Sequence, residues 1–105
     1  MLGNAFFKSD AVHKRTVSLG GQEHDLYFQR VSAYDMGRFA HHFNSADPNY
    51  KAEAACILVA ASLCEADGKP VLTIEKAREL TPEALTALFG PALEVNKRED
   101  VKGNE

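Results

Sequence analysis

One apolar stretch constrains the fold of this chain more than any other feature. Residues 54–64, AACILVAASLC, are apolar at every position except Ser62. Asp47 and Pro48 precede this stretch as an N-cap and a first helical residue, so we expect one helix from there to about Cys64. The stretch is too short to cross a bilayer, which takes about 20 residues. A helix that is apolar on nearly every side is either central in a core or shared with another chain, and both interpretations stay open.

The section before this helix, residues 15–31, predicts a β-hairpin. Apolar and polar residues alternate in TVSL and again in DLYFQRV, and this period-two pattern with β-branched and aromatic residues is typical of strands. Gly20-Gly21 lies between the two segments. Glycine adopts the positive φ that tight hairpin turns need, and we expect residues 22–24 to complete the turn.

Further helices are predicted from their starting residues. Ser32 is a good N-cap for a helix over Ala33–Phe43, and Thr73 can cap a turn or two of helix that ends at Leu80. The last helix starts at Thr81-Pro82-Glu83 and keeps one apolar face to Asn96. Proline removes one helical hydrogen bond and clashes with the carbonyl four residues back, so we expect a kink or a break at Gly90-Pro91.

These elements predict an α+β fold, an N-terminal β-hairpin followed by a small, mostly helical domain of three to four helices. The 105 residues suit one small domain. We expect that domain over residues 15–96, between an N-terminal arm (residues 1–14) and a charged tail (residues 97–105) without periodicity and therefore disordered. The helical faces predict a core that includes Met36, Phe39, Phe43, Leu85, Leu88 and Phe89.

Composition limits the classes of function. The chain has 12 Lys and Arg against 15 Asp and Glu, a formal net charge of -3. This balance argues against a sequence-independent nucleic-acid binder and against a polybasic membrane anchor. Two cysteines are too few for a small secreted disulfide scaffold, and no secretory signal is visible, so we expect a soluble protein of a reducing cytosol.

No group of residues predicts a catalytic or metal site. His41 and His42 are adjacent and point about 100° apart on a helix, whereas helical zinc ligands stand at i and i+4. Cys56 and Cys64 are about 12 Å apart on one predicted helix, too far for a disulfide, and Cys56 in particular is expected to be a buried apolar residue. Glu75 and Glu79 interleave with basic residues on a solvated face. We therefore expect no enzyme activity, no cofactor and no metal.

The order of the motifs resembles the tail assembly chaperones of bacteriophages with long non-contractile tails, the short product made before a ribosomal frameshift. LGGQEHDLYFQRVSAYD is similar to the family's opening strands and helix cap, and AACILVAASLCEADGKPVLT to its helix-to-turn step with leucine, cysteine, an acid, aspartate and glycine. LTPEALTALFGPALEVN resembles its last helix, which ends in leucine-x-x-asparagine. The resemblance covers about residues 17–96. The chain departs from the pattern at Gly90-Pro91, and the arm with Phe6 and Phe7 has no counterpart.

The resemblance implies a non-enzymatic protein of the host cell cytoplasm that is absent from the finished tail. Such chaperones bind the long helical tape measure protein and keep it soluble. They help to recruit tail tube subunits, and a frameshifted, C-terminally extended form contacts the tube protein. Small acidic subunits with a spare apolar face could also self-associate along the tape measure protein. No nucleic acid and no membrane are implied as partners.

For partner binding we expect three regions: the arm, the outward side of the apolar helix, and the tail. The candidate residues are Phe6, Phe7, Ile57, Val59, Lys97 and Arg98. Two other functions stay open. One is a small regulatory or nucleic-acid-associated helical interaction module built on the helices at residues 33–43 and 48–64. The other is a small enzyme that uses Cys56 or Cys64 with His41 or His42, which would require a thiol of lowered pKa.

Overall fold

A computed structural model describes residue 3 and residues 11–97 of the chain. A β-hairpin is followed by four helices, and one short strand lies between the second and the third helix. The α+β prediction is therefore confirmed. The elements are β1 (Val12–Leu19), β2 (Gln22–Gln29), α1 (Ala33–Phe43), α2 (Pro48–Ser62), β3 (Leu63–Cys64), α3 (Ile74–Ala77) and α4 (Pro82–Val95).

The hairpin turn consists of two glycines alone. Leu19 pairs directly with Gln22, and the φ angles of Gly20 and Gly21 are 61° and 80°. Two consecutive positive φ angles are what a type I′ turn requires, and its twist matches that of the flanking strands. The expectation that residues 22–24 complete the turn is wrong, because all three pair within β2. The first strand also begins at Val12, three residues before the section predicted as β.

The apolar helix ends earlier than the sequence predicts. Helix α2 stops at Ser62, and the next two residues form β3, which pairs antiparallel with β2 through Phe28↔Leu63 and Tyr27↔Cys64. The fully buried hydroxyl of Ser62 donates a 2.6 Å hydrogen bond to the carbonyl of Gln29. Sheet pairing therefore satisfies backbone groups that one more helical turn would have satisfied, and the sheet has the order β1-β2-β3.

Each helix begins where its N-cap predicts. The backbone N–H of Asp35 donates to the hydroxyl of Ser32 at 3.2 Å, and Asp47 caps α2 in the same way. Thr73 and Thr81 accept from the third residue after them, at 3.2 and 3.1 Å. These bonds satisfy N–H groups that the first helical turn leaves without a partner.

Helix α4 runs without a break past Pro91, so the predicted break is wrong, and a kink at that position stays a prediction. Ala92 and Val95 lie beyond the proline and are buried in the core. Asn96 caps the helix: its Nδ2 donates to the carbonyl of Ala92, and its Oδ1 accepts from the backbone N–H of Val31, both at 2.8 Å. The burial of Ala92 and Val95 and the two side-chain hydrogen bonds of Asn96 keep the chain helical after the proline, although the proline removes one backbone hydrogen bond.

Helix α2 lies at the centre of the core. Of the two interpretations of its apolar sequence, a central core helix or a helix shared with another chain, the structure favours the first. Ile57, Leu58 and Val59 are 2%, 0% and 0% exposed, and α2 contacts α1, α3 and α4. No helix among the described residues has the length and apolarity to span a membrane.

The predicted core residues are confirmed with one exception. Phe39 and Leu88 are buried, and Met36, Leu85 and Phe89 are partly buried against the core. Phe43 is 45% exposed, so its assignment to the core is wrong. It is the last residue of α1, one turn beyond Phe39, and only one side of its ring stacks on Phe39, with 5.4 Å between centroids.

Candidate interaction surface

The residues expected to bind a partner fall into three groups: some lie outside the described residues, some are buried and one is exposed. Phe6, Phe7 and Arg98 lie outside the described residues. Ile57 and Val59 are buried within the chain itself, so they are not on an outward side of α2, and a partner does not reach them without opening the core. Lys97 is exposed directly after α4. Partner binding through these residues stays a prediction.

An exposed cluster of aromatic side chains joins the end of α1 to the start of α2. We call it the α1–α2 aromatic surface and define it by His41, His42, Phe43, Tyr50 and Lys51. The rings of His42 and Tyr50 stack with centroids 3.8 Å apart and 12° between planes, and His41 meets the same tyrosine edge-on at 5.5 Å. Phe43 and Tyr50 are 45% and 39% exposed. The surface is therefore preformed and partly open to solvent.

Local hydrogen bonds hold this surface in place. The ammonium group of Lys51 donates to the carbonyl of Phe43 at 2.9 Å and lies 4.7 Å from the centre of its ring. His42 Nδ1 donates to the carbonyl of Arg38 at 3.0 Å. The Lys51 ammonium thereby supplies a partner for the carbonyl of Phe43, one of the last carbonyls of α1 that the helix itself leaves unbonded. The rings are thus fixed before any partner arrives, which lowers the entropy cost of binding.

A second open feature is a cleft between the hairpin turn and α4, which we call the β1–α4 cleft. Its volume is about 490 Å³. Leu19 and Ala87 give it an apolar wall, and Glu83 contributes a carboxylate. The lining residues are Ser18, Leu19, Gly20, Pro82, Glu83, Thr86 and Ala87.

The ion pairs of the surface join neighbouring elements. Arg78 of the turn after α3 donates to both carboxylate oxygens of Glu53 on α2. This hydrogen bonding lowers the pKa of the Glu53 carboxyl below its usual value and raises that of the Arg78 guanidinium. Because Arg78 is half-exposed, solvent screens the pair, and its contribution to stability is small.

Both cysteines are buried among apolar residues, and for Cys56 this confirms the prediction. Cys56 and Cys64 are 6% and 3% exposed, and the thiol of Cys56 lies 3.8 Å from the carbonyl of Ala77. Burial raises the pKa of the Cys56 thiol, which is the reverse of what a nucleophilic cysteine needs. Among residues 3 and 11–97, no group of three His, Cys, Asp or Glu side chains could hold a metal ion.

Sequence reasoning missed both open surfaces. Tyr50 stands in the first turn of α2, four residues before the apolar stretch begins at Ala54, and its spacing to His42 across the connecting loop carries no periodic signal. The cleft joins Leu19 to Ala87, which are far apart in the chain. One signal was available for the first surface: aromatic and basic residues cluster in the segment HHFNSADPNYK.

Comparisons with known proteins point to one fold. No family model matches the chain, and no curated protein matches it. Among solved structures, the tail assembly chaperone of bacteriophage HK97 is similar, with a TM-score of 0.62 and 20% sequence identity over 91% of this chain and 92% of that one. The resemblance seen in the sequence motifs is thus confirmed at the level of structure: this chain has the fold of the HK97 tail assembly chaperone.

Proposed function

We propose that this chain is a non-enzymatic phage tail assembly chaperone. In this role it binds and solubilises the tape measure protein, helps to recruit tail tube subunits through an extended form, and leaves before the tail is finished. It acts in the host cell cytoplasm. The observation that carries the proposal is the fold shared with the HK97 protein over nine-tenths of both chains, in agreement with motifs that occur in the same order in the sequence.

The α1–α2 aromatic surface supports this role. A long helical partner offers apolar stripes flanked by charged side chains. Phe43 and Tyr50 present apolar rings to such a stripe, while Lys51 and the two histidines can contact acidic side chains beside it. Exposed aromatic residues of this kind contribute disproportionately to binding. Many small contacts of this size, repeated along one long partner, would hold it and still allow release.

The two alternatives have less support. A nucleic-acid-associated module needs a basic face, but the sequence pI is about 5.8, and Arg38, Arg78 and Arg15 all face carboxylates. An enzyme based on cysteine needs an accessible thiolate, whereas both thiols are buried. The fold similarity also favours a binding protein, although a fold alone does not decide activity.

The test is co-expression with the tape measure protein encoded downstream, followed by a pull-down and a measurement of the soluble fraction. The Tyr50→Ala substitution removes an exposed ring from the α1–α2 aromatic surface. It should weaken binding to the tape measure protein about 30-fold if the ring is a main contact. Tyr34→Ala is the matched control. Tyr34 is also an exposed tyrosine in the first turn of a helix, 76% exposed, but it lies at the other end of α1.

The expected result is that the native chain and the Tyr34→Ala variant keep the tape measure protein soluble and co-purify with it. The Tyr50→Ala variant should do so poorly. If the folded native chain leaves the tape measure protein insoluble and unbound, the proposed function is wrong. If both variants act like the native chain, the function stands but the aromatic surface is not the contact.

A further inference from the structure

The outward side of α4 is apolar, although this helix lies at the surface of the fold. Between Glu83 and Glu94 the helix carries ten residues without a charge, ALTALFGPAL. Thr86, Gly90 and Leu93 of this run are exposed, and their spacing of four and three places them on one side of the helix. We call this side the α4 outer face. A helix at a surface ordinarily carries charged side chains on its outward side, so the α4 outer face is suited to a contact.

The α4 outer face has room for another group. Leu93 is 39% exposed, and a methyl group placed on Gly90 would meet no other atom of the described residues within 4 Å. Glycine in the interior of a helix is less stable than alanine, and no contact within the described part of the chain requires it here. An aromatic ring can lie directly against Gly90, because no side chain projects from that position.

The chain enters β1 close to this face. Arg15 Nε donates to Glu94 of α4 at 3.1 Å, so α4 packs along the strand into which the N-terminal segment, residues 1–10, leads. Three strand residues place the level of Arg15 about 10 Å from Val12. Gly90 lies four helical residues, or about 6 Å, further along α4. A side chain that covers Gly90 must therefore come from a residue about 16 Å of chain before β1.

The aromatic pair of the N-terminal segment stands at this distance. Phe6 and Phe7, which lie outside the described residues, precede Ala11 by five and four residues, and an extended chain of that length spans about 13–17 Å. Lys8 follows them and can reach the level of Glu94, whose carboxylate side chain is 59% exposed. The segment thus offers two rings for an apolar face and one cation for the acidic residue beside it.

We propose that the N-terminal segment folds back on its own chain and docks Phe6 and Phe7 on the α4 outer face, with Lys8 beside Glu94. Because the segment belongs to the same chain, its effective concentration at this face is on the order of millimolar. A small contact is therefore enough to hold it, whereas a separate chain would need a larger one. The docked segment withholds the α4 outer face from other chains.

An introduced tryptophan can report on this face, because the chain has no tryptophan of its own. Leu93→Trp places an indole on the α4 outer face, and Leu19→Trp is the matched control. Leu19 is similarly exposed, at 36%. It lies seven residues, or about 23 Å, along β1 from Val12, which is beyond the reach of Phe6 and Phe7.

Acrylamide quenching is measured for both tryptophan variants, each with the native N-terminal segment and with Phe6→Ser and Phe7→Ser together. Burial of a phenylalanine ring shifts an equilibrium about tenfold or more, so the double serine substitution should release the segment. In Leu93→Trp it should raise the quenching constant and move the emission to longer wavelength. In Leu19→Trp it should change neither. Circular dichroism checks that all four proteins are folded.

Nuclear Overhauser effects in the native chain give a second measurement that needs no substitution. The ring protons of Phe6 and Phe7 should be close to the methyl groups of Leu93, and a mixture of labelled and unlabelled chains separates contacts within one chain from contacts between two. The proposal is overturned if these contacts are absent, if they occur only between two chains, or if the double serine substitution leaves the quenching of Leu93→Trp unchanged. None of these measurements requires the tape measure protein, so the inference and the proposed function fail separately.

Discussion

The Asn96→Ala substitution should destabilise this protein far more than the place of Asn96 directly after the last helix would indicate. Asn96 is 8% exposed and makes two side-chain hydrogen bonds of 2.8 Å, one to the backbone of Val31 and one to that of Ala92. It thereby joins the exit of β2 to the end of α4, which are 65 residues apart. This asparagine is also the last residue of the leucine-x-x-asparagine motif.

The magnitude follows from the two bonds. A part-buried N–H group that loses its acceptor costs about 1–3 kcal/mol, and the lost bond to the Ala92 carbonyl adds about 0.5–1.5 kcal/mol. We therefore expect the free energy of unfolding to fall by about 2–4 kcal/mol, measured by urea denaturation. For a domain of this size the melting temperature should drop by at least about 8 °C.

Asn44 provides a matched control. It is the C-cap of α1, with φ -89° and ψ 3° against -94° and 4° for Asn96, but it is exposed. Asn44→Ala should change the free energy of unfolding by no more than about 0.5 kcal/mol. If the two substitutions cost the same, the cap conformation rather than the two buried hydrogen bonds sets the cost, and the reasoning given for Asn96 is refuted.

Three further predictions concern the core, a thiol and an ion pair. Phe39→Ala should lower the free energy of unfolding by about 3–5 kcal/mol in denaturant titration, because the buried ring also contacts Phe43 and Phe89; an unchanged value would contradict its place in the core. The thiol of Cys56 should react slowly with iodoacetamide at neutral pH and quickly in urea, because burial raises its pKa; fast labelling of the native chain would revive the enzyme alternative. The pKa of Glu53 is held below its usual value near 4.5 by Arg78, so the pair stabilises the fold above that pH and the gain is lost as the pH falls through the lowered pKa. Glu53→Gln should then show a weaker loss of stability in acid than the native chain, and parallel curves would show that the pair contributes nothing.

The candidate surfaces were not predictable from the sequence in the way the elements were. Leu19 and Ala87 form one cleft only because α4 packs along β1. His42 and Tyr50 stack only because the loop between α1 and α2 folds back on itself. By contrast, the sequence predicted that α2 is apolar. It did not predict whether Ile57 and Val59 face the core of the same chain or another chain. Periodicity reports that a face is apolar and does not report what covers it.

The sequence alone determined the features that depend on contacts within about four residues. The caps at Ser32, Asp47, Thr73 and Thr81 each bond a backbone N–H two or three residues further on, and the glycine turn needs only its own two φ angles. These interactions involve only neighbouring residues of the chain and need no distant contact, so the residue types predict them.

Tertiary structure decided the rest, because the competing choices differ in contacts between distant residues. Leu63 becomes strand rather than helix because β2 offers it a pairing partner. Helix α4 continues past Pro91 because Ala92 and Val95 are buried and Asn96 bonds Val31. Phe43 stays exposed because α1 ends there. In each case the local preference is worth about 1–3 kcal/mol, and burial of apolar side chains with satisfied hydrogen bonds across the fold is large enough to override it.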